Sequence, residues 1–108
     1  MKYMMFVCTD TEPETDESQV PDIEVWVAEN DAAGRRLEGN ILAPTSAATT
    51  VRVRGGELLV SDGPFADTKE HIGGFEIIDA TDLDQAIDVA AGHPANAVEI
   101  RPFEEGDR

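Results

Sequence analysis

The sequence predicts an α+β fold for a chain of 108 residues, a length typical of one domain. Three observations support this class. Residues 2–8 form a near-continuous apolar run, residues 49–61 alternate in period two around a Gly-Gly pair, and residues 82–94 show helical spacing between a capping signal and a stop. We expect a single domain over residues 1–103 and a charged tail over residues 104–108.

The first strand is predicted over residues 2–8, where Tyr3, Phe6 and Val7 lie in an apolar run bounded by polar residues. Such a run is typical of a central strand that is covered on both faces. Residues 9–21 are rich in Asp and Glu and contain two prolines, a composition that cannot build a core. We therefore expect a solvated loop there.

Two periodicities compete between Asp22 and Ala33. The residues at strand spacing are Ile23, Val25 and Val27, and those at helical spacing are Ile23, Trp26, Val27 and Asn30. The length of the segment favours a helix that begins at Pro21 or Asp22 and ends at Gly34. A short strand is expected within residues 37–42, because Pro44 limits any ladder that follows.

The second half of the chain contains a hairpin, a strand, a helix and a closing strand. Residues 49–54 and 57–61 are predicted to pair around Gly55-Gly56, residues 62–65 to form a turn, and residues 73–79 to form the next strand. Asp82 with Gln85 resembles a capping box, and a final strand is expected over residues 97–103. The apolar face assigned to the helix contains Leu83, Ala86, Ile87, Ala90 and Ala91, and Gly92 with Pro94 ends it.

This order of elements suits a ferredoxin-like sheet with both helices on one face and the hairpin inserted. The other face would be bare. With residues such as Tyr3, Phe75 and Val98, a lone sheet would expose too much apolar surface, and two such sheets packed together would remove it from water. The sequence therefore predicts a homodimer.

Composition restricts the partners. Twenty-three acidic residues against eight basic ones give a net charge of −15, which disfavours binding to nucleic acid or to anionic membranes. Cys8 is the only cysteine, so an internal disulfide is impossible and a reducing cytoplasm is expected. The near absence of lysine also fits a protein from a saline habitat, with an ordinary acidic surface as the alternative.

Acid/base chemistry is the hypothesis for His71, because an imidazole can act as an acid or a base near neutral pH and Asp62 lies close in sequence. The alternatives are a solvated loop histidine and an aspartate that caps its own turn. His93 follows the last helix, where a cation suits the helix C-terminus, and a structural role is expected for it. The two histidines lie 22 positions apart without a cysteine partner, so we expect neither a metal nor a cofactor.

Other residues near the turn have binding and structural interpretations. Lys69 either holds an anionic ligand or forms a surface ion pair, and Arg52 and Arg54 either grip a carboxylate together or form the solvent side of a strand. Gly63 and Pro64 are expected to set the shape of the loop. Phe65 is expected to fill the core or the dimer interface.

Residues 49–103 also carry a family resemblance. Asp62-Gly63-Pro64-Phe65-Ala66-Asp67-Thr68-Lys69-Glu70, followed by Gly73-Gly74-Phe75, is similar to the motif of YCII-related proteins of the DGPF type. The resemblance implies a ferredoxin-like fold assembled as a dimeric α/β barrel, with a cleft near the DGPF loop. Some YCII-related proteins have a histidine on the first helix paired with an aspartate, and this chain has no histidine there.

Two functions follow from these observations. The first is binding of a small organic molecule in the cleft lined by the DGPF loop, with proton transfer through Asp62 and His71. The second is a non-catalytic sensor or interaction module tied to transcription, because the resemblance extends to proteins associated with sigma factors of the extracytoplasmic-function kind. The two differ in whether a titrating group faces the pocket.

Overall fold

The computed structural model describes residues 1–10, 22–64, 70–95 and 97–104. It has two α-helices, a short 3-10 helix at Thr45–Ala47 and six strands. In chain order the main elements are β1 (Lys2–Asp10), α1 (Ile23–Ala32), β2 (Arg36–Ile41), β3 (Thr49–Arg54), β4 (Glu57–Asp62), β5 (Glu70–Asp79), α2 (Leu83–Ala91) and β6 (Ala97–Pro102). The predicted order of strands and helices is confirmed.

The strands form two antiparallel sheets. The larger has the order β2-β5-β1-β6, which is compatible with a ferredoxin-like fold, and β1 is a central strand as predicted. β3 and β4 form a separate hairpin inserted between β2 and β5. Among the described residues the sheets do not close into a barrel. The segments predicted as the 9–21 loop and the tail lie largely outside the described residues, and residues 65–69 of the DGPF segment lie wholly outside them.

The core lies on one face of the larger sheet. Side chains of β1 and β5 meet both helices there, in a cluster of Tyr3, Met5, Trp26, Ile78, Ala80, Ala86 and Val89. Both helices therefore cover the same face, as expected. The prediction that Tyr3 and Val98 lie on a bare face was wrong. Alternation along β1 turns Tyr3 toward the helices together with Met5. Val98 packs partly against the same cluster. The opposite face instead carries half-buried Met4, Phe6, Phe75 and Ile77, which alternate with the core positions.

Both helices begin at the predicted caps. The Asp22 carboxylate accepts a hydrogen bond from the Glu24 N–H at 2.8 Å, and Gly34 follows α1 with φ of 72°. The Asp82 carboxylate accepts from the Gln85 N–H at 2.8 Å, while the Gln85 side chain accepts from the Thr81 N–H at 2.7 Å. These bonds satisfy N–H groups that a helix leaves unpaired at its start.

The predicted apolar face of α2 was partly wrong. Ala86 and Val89 are buried, whereas Leu83 and Ile87 are 52% and 48% exposed. The buried face is centred one position earlier along the helix, because Val89 and not Ile87 belongs to the core cluster with Trp26. In the part of the chain that the structure describes, no helix is long and apolar enough to cross a bilayer.

Candidate functional site

A cavity of about 420 Å³ lies beside the helix-covered face of the larger sheet, a volume within the range of small-molecule sites. Three strands, the start of α1 and the segment after α2 contribute to its wall. Its lining includes Val7, Cys8, Ile23, Ile41, Gly74, Glu76, His93 and Pro94. Most of these groups are apolar; Glu76, His93 and the Cys8 thiol are the titratable groups among the lining residues, and Asn40 adds an amide.

Glu76 contributes a carboxylate to this wall although its residue is only 7% exposed. Arg36 donates from Nε to Glu76 Oε2 at 2.7 Å, which forms an ion pair between β2 and β5. The same guanidinium donates to Asp31 Oδ1 at 3.2 Å and to the Gly39 carbonyl at 3.3 Å. Arg36 is therefore held by three acceptors, and its position is well defined.

The electrostatics of this pair are set by burial and by mutual attraction. Burial raises the pKa of Glu76, and the hydrogen bond and charge of Arg36 oppose that rise only in part. Burial also disfavours the Arg36 cation, but the hydrogen bonds and charges of Glu76 and Asp31 outweigh it and leave the pKa of Arg36 above its ordinary value. Arg36 stays charged, and Glu76 takes up a proton more readily than an exposed glutamate.

Gly39 makes room for the Glu76 carboxylate. The two residues are directly opposite each other across β2 and β5. A Cβ atom on residue 39 would overlap Glu76 Oε2 and Cδ, so any larger residue would displace the carboxylate or the strand. A glycine inside a strand is a sequence signal for close approach of another group, so Gly39 was a sign of this site in the sequence.

His93 occupies a buried position between α2 and the cavity. Its ring meets the Trp26 ring edge-on at 4.8 Å, and Trp26 Nε1 donates to the Val89 carbonyl at 2.9 Å. The Ala95 N–H donates to His93 Nδ1 at 3.1 Å, so the neutral ring carries its hydrogen on Nε2. Burial lowers the pKa of His93. Burial and the bond at Nδ1 both favour the neutral imidazole, and the contact with Trp26 is consistent with the structural role expected for His93.

The sequence-predicted site residues lie elsewhere. Asp62 ends β4 with an exposed side chain, and Arg52 is exposed on β3. Gly63 adopts φ of 94°, its N–H donates to the Ala48 carbonyl at 2.8 Å, and its carbonyl accepts from Thr50 Oγ1 at 2.7 Å. These bonds are consistent with the loop-shaping role predicted for Gly63.

The proposed acid/base pair spans two sheets, because Asp62 belongs to the hairpin and His71 lies in β5. Neither residue lines the cavity, and within the described ranges no hydrogen bond joins their side chains. Pro64 is exposed at the end of the hairpin segment, whereas Phe65 and Lys69 lie outside the described residues. The chemical roles of Asp62 and His71 stay predictions.

The cavity groups Glu76, Arg36, Gly39 and His93 were not singled out as a site from the sequence. Besides Gly39, the sequence did contain one sign of the site. Glu76 interrupts the apolar run of its strand, and because it is two positions from buried Ile78 it lies on the same, core-facing side of the strand. In the described part of the chain no group of three or more His, Cys, Asp or Glu side chains is placed to hold a metal ion.

Together the fold and the cavity define a class of α+β protein with ferredoxin-like strand order and a ligand-sized cavity. The model of the YCII-related domain matches residues 1–104, and the chain belongs to that family. It is 46% identical over 67 residues to "Uncharacterized protein R00369" of Rhizobium meliloti (strain 1021). The match covers 57% of this chain and 54% of that protein, so the chain spans about half of its relative's length. The predicted resemblance to YCII-related proteins is confirmed.

Proposed function

We propose that this YCII-related protein binds a small organic molecule in the cavity beside β1, β2 and β5. The observation that carries the proposal is the buried Glu76 carboxylate on an otherwise largely apolar wall. A buried ion pair is weak evidence for stability, because well-packed apolar residues in its place are often neutral or stabilising. Its position at a ligand-sized cavity supports a role in binding.

The composition of the cavity wall supports the same proposal. Small-molecule sites are mostly apolar and contain a few polar groups that orient the ligand. Here Val7, Ile41 and Pro94 supply apolar contacts, while Asn40, Glu76 and His93 supply polar ones. Acid/base chemistry by Asp62 and His71 is a separate hypothesis, and the binding proposal does not depend on it.

Ile41→Trp tests the location of this binding site. Ile41 lines the cavity and is 84% exposed, so the larger indole can be accommodated without disturbing the core and is expected to obstruct the cavity. Fragments that bind the wild type in ligand-observed NMR should bind at least about tenfold more weakly to this variant, a loss of about 1.4 kcal/mol.

Leu42→Trp is the matched control. Leu42 is adjacent in sequence and 46% exposed, but it does not line the cavity. Fragment affinities should therefore change by less than about twofold, well under the tenfold step that 1.4 kcal/mol represents. The proposal fails if no fragment binds the wild type, or if both tryptophan variants bind fragments equally well.

We also propose that the functional unit is a homodimer. The β3–β4 hairpin has one apolar face, formed by Val51, Val53, Leu58 and Val60, whose exposures run from 59% to 68%. An isolated two-stranded hairpin is marginally stable in water, so this face needs a partner. The same chain carries a second apolar surface, the sheet face with Met4, Phe6, Phe75 and Ile77. Two copies can cover both surfaces with one symmetric interface.

Charge on the apolar face of the hairpin should weaken the dimer. Val53→Lys with Leu58→Lys changes two residues that are directly opposite on this face. Because each lysine would lose hydration in the interface, the dissociation constant should rise at least about tenfold. Sedimentation equilibrium over a protein concentration series gives that constant.

Leu59→Lys is the control, because Leu59 lies opposite Arg52 on the other face of the hairpin. It should leave the dimer intact. A wild type that is monomeric throughout the concentration series would contradict the dimer, and would favour the alternative in which the hairpin contacts a different protein.

A further inference from the structure

Glu76 and His93 line the cavity, and each has one side-chain atom that no hydrogen bond to a described residue uses. Arg36 donates a hydrogen bond to Glu76 Oε2, and the Ala95 N–H donates one to His93 Nδ1. Glu76 Oε1 and His93 Nε2 make no hydrogen bond to a described residue. Since no fully buried side-chain nitrogen or oxygen of the described residues lacks a partner, both atoms keep access to open space. These two residues therefore offer one acceptor and one donor, beside the Asn40 amide and the Cys8 thiol that also line the cavity.

The charges around the cavity disfavour an anionic ligand. Arg36 is shared between Glu76 and Asp31, so these three groups carry one net negative charge when both carboxylates are ionised. The whole chain adds a net charge of −15. An anion would meet Glu76 Oε1 with like charge in a mostly apolar space, where repulsion is stronger than in water.

A cationic ligand fits poorly for a different reason. Arg36 already partners the Glu76 carboxylate, and the Nε2–H of His93 would point its hydrogen toward a second positive charge. Among the described lining residues Glu76 is the only carboxylate, so no second anion offsets the free-energy cost of desolvating a cation.

We propose that the cavity selects a small uncharged molecule with an N–H or O–H donor for Glu76 Oε1 and a carbonyl-type acceptor for the Nε2–H of His93. A carboxamide is the simplest group with both functions. The inference rests on the proposed small-molecule function and names the ligand class for the same cavity. Its apolar part would contact Val7, Ile41 and Pro94.

Three probes of equal size test the ligand class: benzamide, benzylamine and benzoate. Titrations followed in ¹H–¹⁵N correlation spectra give each dissociation constant for the wild type, with Ile41→Trp locating the site. Benzamide should bind at least about tenfold more tightly than either charged probe, because only benzamide satisfies both wall atoms without burying a charge.

Glu76→Gln tests the acceptor. Removing the carboxylate charge relieves the repulsion of benzoate and weakens the bond to the benzamide N–H, so the preference for benzamide over benzoate should fall at least about tenfold. Glu38→Gln changes the net charge equally from an exposed position on β2 outside the cavity, and it should leave the preference unchanged.

The outcomes separate the two proposals. Tight binding of benzoate or benzylamine that Ile41→Trp abolishes would overturn the ligand class and leave the proposed function standing. Failure of all three probes to bind at millimolar concentration would overturn the ligand class, and the proposed function would fall as well only if no other fragment binds the wild type. A benzamide preference that survives Glu76→Gln would overturn the assignment of Glu76 as the acceptor.

Discussion

Replacing Arg36 by alanine is expected to lower the free energy of unfolding by about 3–5 kcal/mol, the typical cost of stranding a buried charge. The variant leaves the Glu76 carboxylate without its cation in a residue only 7% exposed, where it recovers only part of its hydration. Urea unfolding of wild type and variant at neutral pH measures the loss. Because domains of this size have about 5–15 kcal/mol of stability in total, the variant should fold but be markedly weakened.

The Glu76→Gln background is the matched control for this variant. In that background Arg36→Ala removes hydrogen bonds but leaves no buried charge unpaired at residue 76. The loss in free energy of unfolding should therefore fall to about 1–2 kcal/mol. The difference between the two costs isolates the charge. Equal costs in both backgrounds would show that Arg36 acts through its bonds to Asp31 and the Gly39 carbonyl rather than through Glu76.

The pH dependence of the same variant has a definite sign. Burial raises the pKa of Glu76 in the folded protein, and removal of Arg36 raises it further. When the pKa of Glu76 is higher in the folded than in the unfolded chain, protonation stabilises the fold. That contribution is fully present below the unfolded pKa of about 4.3 and is lost as the pH rises through the folded pKa. The deficit of Arg36→Ala should therefore be largest at pH 7 and shrink toward pH 4. The deficit in the Glu76→Gln background should lack this dependence.

The fold was predictable where the signal is local. The hairpin at 49–61 and the cap of α2 at Asp82 both depend on residues within a few positions of each other, and both were predicted correctly. The balance between strand and helix spacing in α1 was also settled locally, by length and by Asp22.

The candidate site was not predictable because it depends on contacts between distant residues. Arg36 and Glu76 are 40 positions apart, and their pairing follows from the register of β2 on β5. That register shifts between Arg36 and Glu38, and the shift places Gly39 opposite Glu76. Gly39 is the one signal in β2 for such a close approach, and it does not reveal which residue lies opposite. The burial of His93 similarly depends on Trp26 in the other helix.

Gly39→Ala should lower the free energy of unfolding by about 2–3 kcal/mol, the cost of overpacking combined with displacement of an ion pair. The new Cβ would occupy the space of the Glu76 carboxylate, which would have to leave Arg36 or force β2 away from β5. Urea unfolding at neutral pH gives the value.

The same substitution in the Glu76→Ala background decides whether the carboxylate is the cause. With residue 76 shortened, the methyl group enters vacated space, and alanine loses less conformational entropy than glycine when a strand folds. The cost should fall within about 1 kcal/mol of zero, giving a coupling of about 2 kcal/mol between the two positions. An equal cost in both backgrounds would place the clash with the backbone of β5 instead.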